Sequence, residues 1–155
     1  MDETSSKSEG KESDDEFTEI TLRPIELSDV DDFMEWATDE KVSQFCTIGA
    51  ISVTPNSGCL DSCRAELGYV LAYKYWGKGI VTKAVKIAVS NIFEEWPNLE
   101  RVEAFVDVVN KGSQRVLEKT GFLKEGVLRK FRNIKGSSRD MVIFSFLSTD
   151  ALQDH

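Results

Sequence analysis

Residues 75–84 read YWGKGIVTKA, two glycines around a lysine running directly into a helical pattern. Backbone left this bare where a helix begins suits a partner that approaches the main chain itself. The free N–H groups of a helix N-terminus, aided by the helix dipole, form an anion site. Two glycines also suit a tight strand-to-helix turn, so this stretch alone sets a helix start and leaves the ligand open. Ile80, Ala84, Ile87, Ala88 and Ile92 recur at helical spacing behind Gly79, and Pro97 in "WPN" stops the helix.

Working outward, "AELGYVLA" (65–72) predicts a strand leading into the loop. "GAISVT" (49–54) predicts another, followed by the turn-rich "PNSG". On the other side, "RVEAFVDVV" (101–109) is apolar on both faces, as in a central strand covered from both sides. A short helix is expected over Ser113–Thr120, with Val116 and Leu117 inward and Gly121 at its C-terminal cap. Two closing strands, Phe122–Phe131 and Asp140–Leu147, flank "NIKGSS". Nearer the start, "FTEITLRPIE" alternates as a strand ended by Pro24. Ser28 then caps a helix carrying Val30, Phe33, Met34 and Ala37. The order β-α-β-β-α-β-α-β-β predicts an α/β domain: a mixed central sheet flanked by helices, over residues 17–150.

Composition bounds the function. The 155 residues carry a net charge of −8, which argues against nucleic-acid binding and suits a cationic substrate or a basic protein partner. Much of the excess lies in residues 1–16, MDETSSKSEGKESDDE, whose composition predicts a disordered acidic tail. Neither a secretory signal nor a membrane span is evident, so the expectation is an intracellular, cytoplasmic protein with no membrane partner. Cys46, Cys59 and Cys63 are an odd count and are expected as free thiols. Cys59 and Cys63 in "CLDSC" have a metal-like spacing, but the only histidine is His155, and no metal is expected. The same scarcity excludes a histidine-activated serine or cysteine nucleophile.

Two familiar phosphate loops do not fit. A Walker-type loop needs Ser or Thr after Gly-Lys, where this chain has Gly79. A dinucleotide fingerprint needs Gly or Ala where it has Thr82. The acyl-CoA loop of the GNAT superfamily of N-acetyltransferases, Gln/Arg-x-x-Gly-x-Gly/Ala, does lie on "WGKGIV". Gly79 takes its first glycine position, Trp76 the Gln/Arg position and Val81 the last small one. With "GYVL" before the loop and "NKGSQRVLEKTGF" (110–122) after it, the chain resembles the ribosomal-protein-alanine acetyltransferase branch over Ala65–Phe122.

That resemblance implies acetyl-CoA as cosubstrate and an amine as acceptor, with a protein N-terminus the favoured kind. The backbone of Gly77, Lys78, Gly79, Ile80, Val81 and Thr82 would wrap the pyrophosphate. Tyr69, Val70 and Leu71 would pair the pantetheine arm like an added strand, and Asn110 would hydrogen-bond the arm or the thioester region. Glu66 either takes the amine's proton or is an exposed strand glutamate that pairs a neighbour. Many superfamily members protonate the leaving thiolate with a tyrosine just before Glu-Lys, where this chain has Leu117. Ser113 is the expected substitute, its other reading being a helix cap. Some relatives also carry a glutamate in the last hairpin, at the position of Arg132. The family places a further helix and strand before "GAISVT". Here "DEKVSQFCTI" (39–48) is too short for both, so the amine half is expected to be shortened. A CoA-binding or interaction module without turnover is the alternative reading.

Overall fold

The computed structural model describes residues 20–24, 49–71 and 75–151. The acidic tail, the expected first helix, "DEKVSQFCTI" and Cys46 lie outside the described residues, as do residues 17–19 and 25–26 of the strand expected over "FTEITLRPIE". The described part of that last segment, 20–24, is not strand.

Strand β1 (Gly49–Pro55) pairs antiparallel with β2 (Arg64–Leu71), in register from Gly49↔Leu71 to Pro55↔Ala65. Helix α1 (Ile80–Glu95) crosses to β3 (Arg101–Asp107), which runs parallel to β2. Helix α2 (Lys111–Thr120) leads to the hairpin of β4 (Leu123–Ile134) and β5 (Ser137–Leu147). The order across the five-stranded sheet is β1-β2-β3-β5-β4, a mixed sheet flanked by helices.

Period-two alternation sends Ala65 and Leu67 of β2, Val102, Ala104 and Val106 of β3, and Val142, Phe144 and Phe146 of β5 to one face. Val85, Val89 and Ile92 of α1 and Leu117 of α2 close over them. Burying each of these larger side chains contributes about 1.5–3 kcal/mol. The core stripe of α1 therefore runs through Ile80, Val85, Val89 and Ile92. Of the stripe expected from sequence, Ile80 and Ile92 are buried, whereas Val85 and Val89 take the places expected for Ala84, Ile87 and Ala88, because the apolar residues of this helix cover more than one face. Both described helices pack on this face. The opposite face carries Glu66, Glu103, Phe105 and Asp107, with Met141, Ile143 and Ser145 from β5.

The closing strands run further than their sequence suggests. Lys135 (φ 50) and Gly136 (φ 79) form a two-residue turn with both residues left-handed, the form that matches strand twist. The ladder consequently closes at Ile134↔Ser137 within "NIKGSS". At the other limit, β3 ends at Asp107 because its carboxylate accepts the Val109 N–H (3.0 Å) and turns the chain.

Candidate functional site

Two parallel strands part company in the middle of the sheet. The β2–β3 ladder covers only Arg64↔Arg101, Ala65↔Val102 and Glu66↔Glu103. Beyond it, β2 continues against β1 to Leu71, while β3 continues against β5 to Asp107. The facing edges of Leu67–Leu71 and Ala104–Asp107 thus diverge. Such an opening offers main-chain N–H and C=O groups to an extended ligand that bonds like a strand. Tyr69 bridges it, its hydroxyl donating to the Ser113 carbonyl of α2 at 3.1 Å.

The α1 N-terminus lies beside the end of β2. Trp76 holds the loop there, its indole Nε1 donating to the Leu71 carbonyl at 2.8 Å. Gly77 (φ 75) and the N-cap Gly79 (φ 73) are left-handed, a conformation costing a side-chain-bearing residue about 1–2 kcal/mol. Neither has a neighbour within 4 Å of where a Cβ would sit, so backbone conformation rather than crowding accounts for these glycines. No side chain caps α1 and no acid stands in its first turn. Ile80, Val81 and Thr82 therefore present N–H groups that the helix itself leaves without acceptors. Tyr69, Val70, Leu71, Ile80 and Val81 line one cavity of about 220 Å³, with residues 20–22 and 49–51 along its other side. At that volume it suits an arm rather than a whole nucleotide.

The start of α2 supplies a third group. The helix begins at Lys111, two residues before the sequence expectation, because Asn110 is the cap: its Oδ1 accepts the Ser113 N–H at 3.1 Å. Of the two readings of Ser113, capping thus passes to Asn110. Gln114 fastens the turn by donating to the Asp107 (3.3 Å) and Val108 (3.0 Å) carbonyls. Burial raises the Tyr69 phenol above its ordinary value, with Ser113 beside it acting in the opposite sense. Leu117 is wholly buried in the core, so the position where many relatives have a tyrosine carries packing here. The sequence reading gave Tyr69 a main-chain role. That its hydroxyl reaches Ser113 depends on a contact 44 residues apart, which no local pattern signals.

Glu66 and Glu103 form the last β2–β3 pair and share the opposite face of the sheet. Glu103 is buried, yet it is held by Arg64 (2.6 Å) and Arg101 (3.0 Å). Arg101 in turn forks onto both oxygens of Glu125 (2.8 and 2.7 Å). Glu66 is not an open carboxylate: its Oε1 accepts from Arg132 Nη2 at 3.2 Å, the strand-pairing alternative of the sequence reading. Arg132 also lies over Phe105, 5.5 Å from the ring centroid, and Phe105 stacks on Phe131 at 5.1 Å. Glu66 thus lies on the face opposite the helices, whereas Ser113 belongs to α2 on the helix face. Among the described residues, no three His, Cys, Asp or Glu side chains gather as a metal would need, and no helix is long and apolar enough to cross a membrane.

Comparison with known proteins places these elements in a family. The profile of the Acetyltransferase (GNAT) domain matches residues 43–123. "Uncharacterized N-acetyltransferase p20" of Bacillus licheniformis is 28% identical, over 84% of this chain and 94% of its own length. That alignment runs over 168 positions, more than this chain's 155 residues, so p20 carries segments opposite which this chain has none. The chain spans about half the length of several other curated relatives, 47% in each. Among solved structures, ribosomal-protein-S5-alanine acetyltransferase from Vibrio fischeri superposes with a TM-score of 0.61 at 32% identity, over 66% of this chain and 55% of that one. RimJ from Mycobacterium smegmatis, in complex with CoA-disulfide, gives 0.59 at 29% identity, over 65% and 47%.

Proposed function

The chain belongs to the GNAT acetyltransferase family, and from that premise we propose that it transfers an acetyl group directly from acetyl-CoA to a primary amine, best fitted by the α-amino group of a protein N-terminus. The observation that carries this reading is the uncapped α1 N-terminus set beside the β2–β3 opening. One feature suits a pyrophosphate and the other an extended amide-bearing arm. Both are reached from the end of β2.

In this reading the N–H groups of Gly77 to Thr82 hold the pyrophosphate, with Lys78 adding positive charge. Tyr69, Val70 and Leu71 pair the arm through their main chain. Asn110 holds α2 in place and turns its amide towards the thioester region. The acceptor arrives as an ammonium and gives a proton to Glu66, directly or through water. Its nitrogen then bonds to the acetyl carbon and the carbon–sulfur bond breaks; the thiolate takes the Ser113 hydroxyl proton, and the second proton, shed by the nitrogen as it becomes an amide, restores Ser113 through water. No acyl-enzyme is formed.

Deprotonating an α-amine of pKa about 8 at pH 7 costs about 1.4 kcal/mol, against about 4.6 for a lysine near 10.4. That difference favours an N-terminus, and the similarity to an S5-alanine acetyltransferase points the same way. The test is thiol release from acetyl-CoA with a peptide beginning in alanine and, separately, with spermidine. The peptide should be acetylated at its N-terminus with the higher kcat/KM. Preference for spermidine would overturn the acceptor assignment. A second reading, binding without turnover, is favoured by one observation: Arg132 occupies the carboxylate that would take the proton.

A further inference from the structure

Glu66, Phe105, Phe131 and Arg132 lie together on the face opposite the helices. A carboxylate beside an aromatic face is what an alkylammonium requires, one group neutralising its charge and the other offering the negative face of a ring. Here that arrangement holds the chain's own cation. The Arg132 guanidinium is 3.2 Å from Glu66 and 5.5 Å from the Phe105 centroid.

The backbone is shaped to bring it there. Between the pairs Leu128↔Met141 and Arg132↔Arg139, three residues of β4 stand opposite Asp140 alone. Asp140 accepts the Lys130 N–H at 2.7 Å, and Lys130 adopts a left-handed φ of 47, uncommon for a residue with a side chain. An irregularity of this kind re-aims the side chains that follow it. Phe131 stacks on Phe105, and Arg132 folds back over the same ring to a residue 66 positions away. Phe105 lies on β3 two residues past Glu103, where β3 has already left β2. The cluster therefore sits at the mouth of the opening.

We propose that Glu66 and the stacked Phe105–Phe131 pair form an ammonium subsite for the acceptor, and that Arg132 is its resident occupant, a gate the acceptor must displace. This deepens the acetyltransfer reading and rests on it for the identity of the acceptor. The subsite itself rests on geometry alone. Both partners of the Glu66–Arg132 pair are substantially exposed, 38% and 42% of their side chains. Water competes for such a pair, so an incoming ammonium can exchange with it. While Arg132 holds Oε1, it stands where the acceptor's proton would go. Displacement thus couples binding to the freeing of Glu66.

The experiment titrates the full chain with n-butylammonium, followed by NMR, for the parent, Arg132→Gln and the double variant Glu66→Gln/Arg132→Gln. Removing the gate should tighten n-butylammonium binding by about three- to tenfold, the scale of a weak exposed ion pair. Shifts should centre on Glu66, Phe105 and Phe131, and the double variant should lose the gain. Arg132→Met, which keeps an apolar cover on Phe105, should behave like Arg132→Gln and serves if the amide variant folds poorly. Equal affinity in the parent and both single variants would overturn the proposal, as would a gain that survives in the double variant. Acetyl-CoA calorimetry on the same samples separates the two readings: a chain that does not bind acetyl-CoA yet gains ammonium affinity retains the subsite and loses the transferase.

Discussion

Ser113 and Tyr69 show what a single residue's place in the fold adds to its type. The Tyr69 hydroxyl is spent on the Ser113 carbonyl, and burial raises the phenol above its ordinary value. Ser113, relieved of capping by Asn110, is the residue proposed to protonate the thiolate. Ser113→Ala should lower kcat roughly a hundredfold, the lower end of what a positioned proton donor contributes, and leave acetyl-CoA affinity unchanged. An unaltered kcat would return Ser113 to a structural role. Asn110, Ser113 and Glu66 were legible as candidates because each sits in or beside a motif. What each side chain touches was not legible. Glu66 meets Arg132 across 66 positions, and such a pairing depends on how β4 is offset along β5.

Elements were read more fully than contacts. Alternation and glycine placement located β1, β2, β3 and both described helices, since each rests on local periodicity. The hairpin was foreshortened because "NIKGSS" looks like a loop by composition, whereas only Lys135 and Gly136 turn. The irregularities in β4 carry no sequence mark, yet they organise the polar face. Glu125 stands unpaired between Lys124↔Phe144 and Gly126↔Ile143, and reaches Arg101 and the Ser145 hydroxyl (2.6 Å). The Arg101 hydrogen bond, then that of Ser145, depresses its carboxyl from 4.5 to about 2. A depressed value means that the stabilisation is complete above about 4.5 and is lost as pH falls from there towards 2. The Glu125 side chain is 43% exposed, so solvent screening limits the contribution to about 0.5–1 kcal/mol. Denaturant titrations should show Glu125→Gln less stable than the parent by that amount at pH 6, the gap closing as pH approaches 2. A gap that persists at pH 2 would place the effect in packing rather than charge.

Over the whole molecule, the stretch proposed to hold acetyl-CoA is organised around the sheet, while the segment before β1 is short for the family's further helix and strand. The strand opening, the α1 N-terminus and the α2 cap converge from one continuous stretch, 64–122, which is why the motif register exposed the fold so clearly. On the other side, β1 is the terminal strand of the described sheet, and residues 20–22 line the cavity without forming a strand. The shortness of "DEKVSQFCTI" was legible by counting, since a helix and a strand need more residues than it has. The consequence for turnover was not, because it depends on what the opposite face can still bind. The central claim is that acetyl-CoA is held by bare backbone at Gly77–Thr82, and titration calorimetry tests it most directly. Gly79→Ala and Gly79→Glu impose the same backbone strain at φ 73, while only the second adds negative charge. With both variants folded by circular dichroism, the account predicts that the parent binds acetyl-CoA, that alanine weakens binding modestly, and that glutamate weakens it about a hundredfold or more relative to alanine. Equal affinity in the two variants would contradict it, and so would the absence of acetyl-CoA binding by the parent.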